Sequence, residues 1–535
     1  MLEFTDNTAL TQAYNDFPYT GYAYYPSTPD NLATLAKLSG MQPADITKAR
    51  VLELGCASGD NLIPHALNFS ESTFVGIDLS PKQIAAGQAV VKKLQLGNIS
   101  LRVADLTKLK GELRDFDYII GHGLFSWITL ESQHALLELC ANALARQGVI
   151  YLSYNTYPGW HFQELLRGLM LNATRGMDDM HARVERGKHI LELIQKANED
   201  KTEVNALFLS TELESLKKMD ASYLAHEYFE IHNNPVYFSD FVAMSEQHGL
   251  RFLAEANPTQ MMVEEGVAMT ELVQETDRKN LVEMIQRLDY LKHTRFHATL
   301  LCHADQSLDW RWNQRPLDDY YLYSFLEPQG HVQHYFSGAV ISFTHGNVNV
   351  ATQKPEEVAT LIYLYEVQPA RVLFTDLLNA VDQRLQEQVK NTLFPKAFEP
   401  ECYYASLSLF LYRLFARGCI DFYTQPGRYA TQVSDYPKAT RLARMQARQH
   451  DVVTTQIHRS YKLNSVEKIL LPLLDGKQGK QALVKALQKA ITTGKLPLDQ
   501  ADMEVAPEVL AEDFVALALR SLCQAALLIQ TDKVT

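Results

Sequence analysis

The chain lacks an apolar run of the roughly 20 residues that a membrane-crossing helix requires, so no span is expected. It opens on MLEFTDNTALTQ, with two acids in the first six residues and no apolar segment, so no secretory leader is expected there. Cysteine is sparse: Cys56, Cys140, Cys302, Cys402, Cys419 and Cys523 are scattered and form no C-x-x-C pair. That spacing argues against a disulfide framework or a zinc ribbon and fits a reducing, cytoplasmic setting. A positive balance is missing too. Fifty Lys and Arg stand against 63 Asp and Glu, a net charge of −13, which suits nucleic-acid phosphates poorly. No nucleic-acid partner is expected. What remains is a folded composition, 46% apolar and 10% aromatic, which excludes a mostly disordered, collagen-like or coiled-coil chain. At 535 residues it exceeds one hydrophobic core, and about three or four domains are expected.

Six aromatics (Tyr14, Phe17, Tyr19, Tyr22, Tyr24, Tyr25) fall within twelve residues near the start, broken by Pro18 and Gly21, and read as an ordered loop. Asp30 is a candidate cap for a helix through NLATLAKLSG. From residue 49 strands and helices alternate: ARVLEL, STFVGID, ISLRVAD, FDYIIGH and GVIYLSYN are the strands. Ser80 and Pro81 are placed to open the helix after the second strand. This alternation predicts an α/β, Rossmann-like parallel sheet covered on both faces. Beyond Asn155 a mostly helical middle region is expected, then an α+β C-terminal region. Two late segments, EEVATLIYLYE to LFLYRLFARGCIDFY and SVEKILLPLLDG to FVALALRSLCQAALLIQ, share a helix–helix–helix–strand order that is winged-helix-like.

The strongest chemical signal is Glu53-Leu54-Gly55-Cys56-Ala57-Ser58-Gly59, where the first strand turns into a helix. Ligands of open α/β sheets bind outside the carboxyl ends of the strands, and small residues let the backbone approach. A dinucleotide fingerprint is G-x-G-x-x-G; here Ala57 and Asp60 replace its second and third glycines. An acid ahead of the turn suits an ammonium group, so E-x-G-x-x-x-G favours S-adenosylmethionine. Asp78 closes the second strand and can accept from both ribose hydroxyls. Asp105 closes the third and can accept from the adenine amine, with Leu106 on the ring.

ELGCASGDNLIPHA, VGIDLSPKQIAAGQ, FDYIIGHGLFSW and SYNTYPGWH together resemble class I methyltransferases that carry a methyltransferase regulatory domain. The set is similar to rickettsial protein-lysine methyltransferases that modify outer-membrane proteins. PYTGYAYYPSTPDNLATLAKLSGM resembles that family's N-terminal block, with Thr28 where the family has His; any role of that His is not carried over. AHEYFEIHNNPVYFSDFVAMSEQHGLRFLAEA and DYLKHTRFHATLLCH resemble the start and end of the regulatory domain. The resemblance implies that Glu53, Gly55, Cys56, Ala57 and Gly59 line the methionine end of the cofactor. Asp78 with Leu79 would hold the ribose, Asp105 with Leu106 the adenine, and Gly121-His122 would flank the sulfonium.

Methyl transfer from a sulfonium is an in-line displacement that depends on alignment and desolvation, and the sulfonium is already activated. No metal is expected. A lysine acceptor must lose its proton, which burial against aromatic rings favours, and rings hold methylated ammonium groups by cation–π contact. Candidate acceptor-pocket residues are Tyr14, Tyr19, Tyr22, Phe125, Tyr157 and Trp160, with Trp127, Tyr154 and Asn155 beside the reacting amine. His122 is either a general base or an orienting group. His293, His297, Cys302 and His303 read as core or surface side chains rather than metal ligands.

The expected organisation is a cofactor domain with an aromatic lid at 1–160, a helical connector with a dimerisation role at 161–220 and a regulatory domain at 221–305. Winged-helix-like units would follow at 306–450 and 451–535. So much non-catalytic chain favours a protein substrate over a metabolite, with lysine N-methylation and an outer-membrane protein following from the resemblance. The alternatives are a small-molecule methyltransferase with regulatory additions and a non-catalytic cofactor-sensing protein.

Overall fold

A computed structural model describes residues 21–109, 111–198, 201–219, 221–230, 232–261, 280–330, 332, 334–390, 403–496 and 506–530. Tyr14 and Tyr19 lie outside the described residues. The apolar runs expected as strands form five parallel strands: β1 (Arg50–Leu54), β2 (Thr73–Asp78), β3 (Ile99–Val103), β4 (Phe116–Gly121) and β5 (Leu144–Tyr157). Strand β1 is central, with Val51 opposite both Phe74 and Tyr118, and its Val51, Leu52 and Leu54 are buried. Parallel strands buried on both faces read as near-continuous apolar runs, which is why this part was visible in sequence.

The flanking helices are α1 (Pro29–Leu38), α2 (Ile63–Asn68), α3 (Pro81–Leu94) and α4 (Leu130–Ala143). Ser80 caps α3 by accepting from the Gln83 amide, with Pro81 in the first turn. Helix α1 is capped differently from expectation. Thr28 Oγ1 accepts from the Asn31 amide, while Asp30 is buried and binds Arg371 and Thr424. An acid two residues past the cap is placed to reach another part of the chain.

The sheet does not close at residue 157. After β6 (Val236–Tyr237), which pairs with the tip of β5, come β7 (Leu250–Glu255) and β8 (Phe296–His303). Strand β8 lies antiparallel to β5, with Tyr154 opposite His297, and β7 lies antiparallel to β8, giving the order β3-β2-β1-β4-β5-β8-β7. The sheet begun in the 1–160 stretch therefore also takes in strands of the 221–305 stretch. The strand alternation is interrupted by helices and then resumes, and sequence periodicity cannot show that the later strands rejoin the same sheet.

The interruption is α5 (Trp160–Ala173), α6 (Met180–Ala197), α7 (Val204–Leu216) and α8 (Ala221–Phe229). They bury Leu166, Met170, Val184, Leu213, Leu224 and Phe229 together. Two further helices, α9 (Phe238–Glu246) and α10 (Leu281–Lys292), cover the last strands. Downstream, the strand Tyr321–Ser324 pairs with Val372–Leu373 and Ile420–Tyr423. Its Leu322 and Phe422 share a core with Leu32, Val51 and Tyr118 of the first region. The final residues build their own core, with Leu470, Leu487 and Leu522 packed beneath a hairpin of Val452–Thr454 and Ser460–Lys462.

Candidate functional site

A cavity of 680 Å3 opens at the carboxyl ends of β1, β2 and β4 and continues to helices α5, α7 and α8. That volume lies within the range of ligand pockets, about 300–1,000 Å3. One end is made by the loop after β1. Gly55 (φ 73°), Ala57 (φ 48°) and Gly59 (φ 78°) all take the left-handed conformation. The Gly55 and Cys56 amides both donate to the Ile77 carbonyl, which draws the loop across β2. Two glycines outside the motif allow this approach. A Cβ on Gly87 would lie 2.3 Å from the Ser58 carbonyl oxygen, and one on Gly76 would lie 2.8 Å from Cys56 Sγ.

Asp78 clamps the loop. Its Oδ2 accepts from the Ala57 amide at 2.8 Å and its Oδ1 from the Ser80 amide at 2.8 Å. Burial raises its pKa, against the pull of these amides. Each oxygen retains a second lone pair for an incoming hydroxyl. Glu53 is 3% exposed. Its Oε1 accepts from Asn61 Nδ2 at 2.8 Å, and its Oε2 has no partner among the described residues. Burial, more than any neighbour, pushes the Glu53 carboxyl up to about 8. A buried carboxylate oxygen without a partner is costly, and a cation arriving in the cavity would satisfy it.

Next along the cavity, His122 stacks on Tyr24 with ring centroids 3.6 Å apart. Its Nδ1 lies 2.9 Å from the Tyr151 hydroxyl and 3.3 Å from Ser153 Oγ. Burial lowers its pKa to about 3, so the ring is neutral near pH 7 and a weak base.

The far end is assembled from separate segments. Trp160 and Gln163 come from α5, Glu212 from α7, Tyr223, Glu227 and Tyr228 from α8, and Arg295 and Phe296 from the start of β8. Tyr228 donates to Gln163 Oε1 at 2.7 Å, and Gln163 Nε2 donates to Glu212 Oε2 at 2.9 Å. Arg295 grips both oxygens of Glu212. Burial raises Glu212, but the hydrogen bonds from Arg295 and Gln163 outweigh it and leave its pKa lowered. Glu227 behaves differently: burial pushes it up to about 7, with Arg167 opposing.

Three family descriptions match the chain: a methyltransferase domain over residues 51–148, a predicted methyltransferase regulatory domain over 220–303, and the C-terminal winged-helix domain of PKMT over 435–527. An uncharacterised protein of Rickettsia prowazekii, RP789, is 29% identical over 514 residues, 94% of this chain and 90% of that one. A second from the same organism, RP028, is 30% identical over 241 residues, 45% of this chain and 96% of that one. The chain belongs to the class I S-adenosylmethionine-dependent methyltransferases with a methyltransferase regulatory domain. PKMT2 from Rickettsia typhi, solved in complex with AdoHcy, has the same fold: TM-score 0.86 at 24% identity, covering 96% of this chain and 100% of that one. Human EEF1A lysine methyltransferase 2 is 35% identical over 88 residues, 16% of this chain and 37% of that one.

In this methyltransferase the residues of the cofactor end fit S-adenosylmethionine. Glu53 would offer its Oε2 to an ammonium and Asp78 its remaining lone pairs to ribose hydroxyls, and Leu79, Ala104 and Leu106 would give an apolar wall for a base. Gly55, Cys56, Ala57 and His122 also face the cavity. Gly59, Asp105 and Gly121 do not. Gly59 supports the turn, a Cβ on Gly121 would meet Leu152 at 2.7 Å, and Asp105 caps the next turn by accepting from the amide and hydroxyl of Thr107.

Tyr22, Trp127, Asn155 and Trp160 line the methyltransferase cavity as well. Tyr154, Phe125 and Tyr157 do not, which corrects their expected placement. Neighbouring residues of a strand point to opposite faces. Tyr151 and Asn155 therefore face the cavity, and Ser153 meets His122, whereas Tyr154 turns to the other face. There it stacks on Phe241 and hydrogen-bonds Thr299, and Phe125 packs edge-on against the same Phe241. Tyr157 lies outside, stacked on His161 and donating to Glu164. His297, from the histidine group, is clamped between Glu255 and Asp289 in the core. Gln163, Glu212, Tyr223, Glu227 and Arg295 escaped the sequence reading. Of these, Glu227 lies in the AHEYFEIHNN block and Arg295 in DYLKHTRFHATLLCH, both read in sequence as parts of a separate domain.

Proposed function

We propose that this methyltransferase N-methylates lysine side chains of a protein. The observation that carries the reading is Glu227, an acid with a pKa near neutrality in a chamber walled by Trp160, Tyr223 and Tyr228. A general base works best when its pKa lies near the operating pH. Aromatic faces attract an ammonium and stabilise its methylated forms without demanding its proton. The name of the human relative, a lysine methyltransferase acting on EEF1A, supports the same acceptor. An outer-membrane protein as substrate rests on the family resemblance alone.

S-adenosylmethionine supplies an activated methyl group when bound. The chain's residues do the rest. Glu53 and Asp78 hold the two polar ends of the cofactor's amino-acid and ribose portions. Trp160 and the two tyrosines exclude water from the acceptor. Glu227 would take one proton from the lysine ammonium and leave a neutral amine with a free lone pair. Asn155, in the cavity wall with its Nδ2 donating to Asn233 Oδ1 at 3.2 Å, presents its carbonyl oxygen to the amine. His122 orients, held by Tyr151 and Tyr24. Most of the rate enhancement on this reading comes from alignment in a dry site.

Incubation with methyl-labelled cofactor and an unfolded outer-membrane protein is expected to place label on lysine nitrogens, located by peptide mass spectrometry. Label that appears only on small amines or other metabolites, with none on lysine of any polypeptide offered, would overturn the reading.

A further inference from the structure

The hairpin of the C-terminal unit turns inward. Val453 and Tyr461 pair across it, and the tip is closed by the Thr455 amide donating to the Arg459 carbonyl at 2.9 Å. At that tip His458 has φ 59°, a conformation that non-glycine residues rarely adopt, and is 3% exposed. Its ring lies flat on His65 of α2, with centroids 3.9 Å apart. Its Nε2 is 2.7 Å from Asn61 Oδ1, 397 residues away in sequence.

Asn61 is where three distant segments converge. Its Oδ1 also accepts from the Tyr24 amide at 2.9 Å. Its Nδ2 donates to Glu53 Oε1 at 2.8 Å and to Ser27 Oγ at 3.1 Å. An amide oxygen only accepts, so His458 carries its proton on Nε2 and donates. Next to it, Arg459 binds Asp421 Oδ2 at 3.1 Å and covers the Tyr25 ring, which anchors the tip against the N-terminal segment.

We propose that His458 is a positioning residue for the cofactor site: by donating to Asn61 Oδ1 it fixes the Asn61 amide so that Nδ2 holds Glu53 Oε1 and Oε2 is left for the cofactor's ammonium. With the amide reversed, Nδ2 would face two donors and Oδ1 would face a carboxylate, so the donor from the hairpin selects the working orientation. The C-terminal unit is thus a structural part of the cofactor pocket. Coupling between sites is reciprocal, so an occupied cofactor site holds the hairpin more firmly in place. This inference rests on the cofactor assignment and is independent of the acceptor's identity.

The test titrates the full chain with S-adenosylhomocysteine by calorimetry. H458F keeps a ring against His65 and loses the donor; H458Q loses the ring and keeps a donor of similar reach. H458F is expected to bind about tenfold more weakly, the scale of one lost hydrogen bond to a buried acceptor, and H458Q to recover to within about threefold. Equal binding by wild type and H458F, or an equal loss in both variants, overturns the proposal. A second measurement needs no variant: in 15N-histidine spectra of the wild-type chain, the His458 Nε2–H resonance should shift when S-adenosylhomocysteine is added. A resonance that stays in place while binding occurs also overturns the proposal. A wild-type chain that binds no S-adenosylhomocysteine sinks the cofactor assignment itself.

Discussion

The two ends of the cavity are built in opposite ways. The cofactor end comes chiefly from residues 53–124, a continuous stretch of strand ends and loops, whereas the acceptor end gathers side chains from α5, α7, α8 and the start of β8. A contiguous loop is rigid because the sheet beneath it is; here Asp78 and the Ile77 carbonyl tie it down. The acceptor wall is drawn mostly from helices and is tied together by side-chain links such as Tyr228–Gln163–Glu212–Arg295. The cofactor end can therefore follow a fixed pattern, while the acceptor end can be retuned by moving helices.

The strongest test of that contrast strikes the core behind the acceptor end. Burial alone would lower the His297 pKa, but Glu255 and Asp289 outweigh it and push it up to about 10. His297→Ala would strand two carboxylates and should cost about 3–5 kcal/mol of stability, measured by denaturant unfolding. The pH dependence has a definite sign. Because the folded pKa lies above the ordinary value of 6.5, this contribution is complete below about pH 6.5 and is lost as pH rises through 10. A wild-type stability profile flat across that window, after correction by the variant's profile, would refute the clamp.

At the cofactor end, E53Q should weaken S-adenosylhomocysteine binding about 100-fold, or about 3 kcal/mol, as expected for removing one charge of a buried pair. Glu53 has a pKa near 8 in the free protein, so at pH 7 it is mostly protonated. An ammonium in the site ionises it. Wild-type binding at pH 7 should therefore release close to one proton, seen by calorimetry in buffers of different ionisation heat, and E53Q should release none. By the same linkage, the raised pKa means that this group favours the cofactor-free fold below about pH 4.5 and ceases to as pH climbs through 8.

E227Q sharpens the other end. The wild-type kcat/KM for the polypeptide should rise as pH approaches 7, where Glu227 loses its proton. E227Q should lose that limb of the profile and fall about 100-fold, within the range for a positioned base. Cofactor affinity should be unchanged. A profile that keeps the limb would assign the proton to another group.

The same contrast decides what the sequence made legible. The strands, the Glu53–Gly59 loop and Asp78 could be read because each signal is local: apolar runs, small residues at a turn, acids at strand ends. Glu227 could not. Nothing in AHEYFEIHNN shows that its helix lines the same cavity as the Glu53–Gly59 loop, and the place of β8 depends on Phe296–His303 pairing with β5 rather than with a neighbour in sequence. The inward hairpin was equally invisible, since winged-helix order does not say where the hairpin tip points. Asp105 carries a second, local task that its strand-end position does not announce: its Oδ1 accepts from the amide and hydroxyl of Thr107 and caps the turn.

The smallest effect separates two adjacent residues that the sequence reading set, with Trp127, beside the reacting amine. On β5, Asn155 faces the cavity and Tyr154 faces Phe241 and Thr299. N155A should lower kcat/KM for the acceptor about tenfold, the scale of one hydrogen bond at the reacting amine. Y154F removes a hydroxyl whose partner, Thr299 Oγ1, still donates to Glu255 at 2.6 Å. It should cost about 1 kcal/mol of stability and leave kcat/KM within about twofold, because its hydroxyl lies on the strand face turned away from the cavity. If Y154F lost activity as N155A does, the strand's two faces would not be separated in function, and the acceptor chamber would have to extend beneath the sheet.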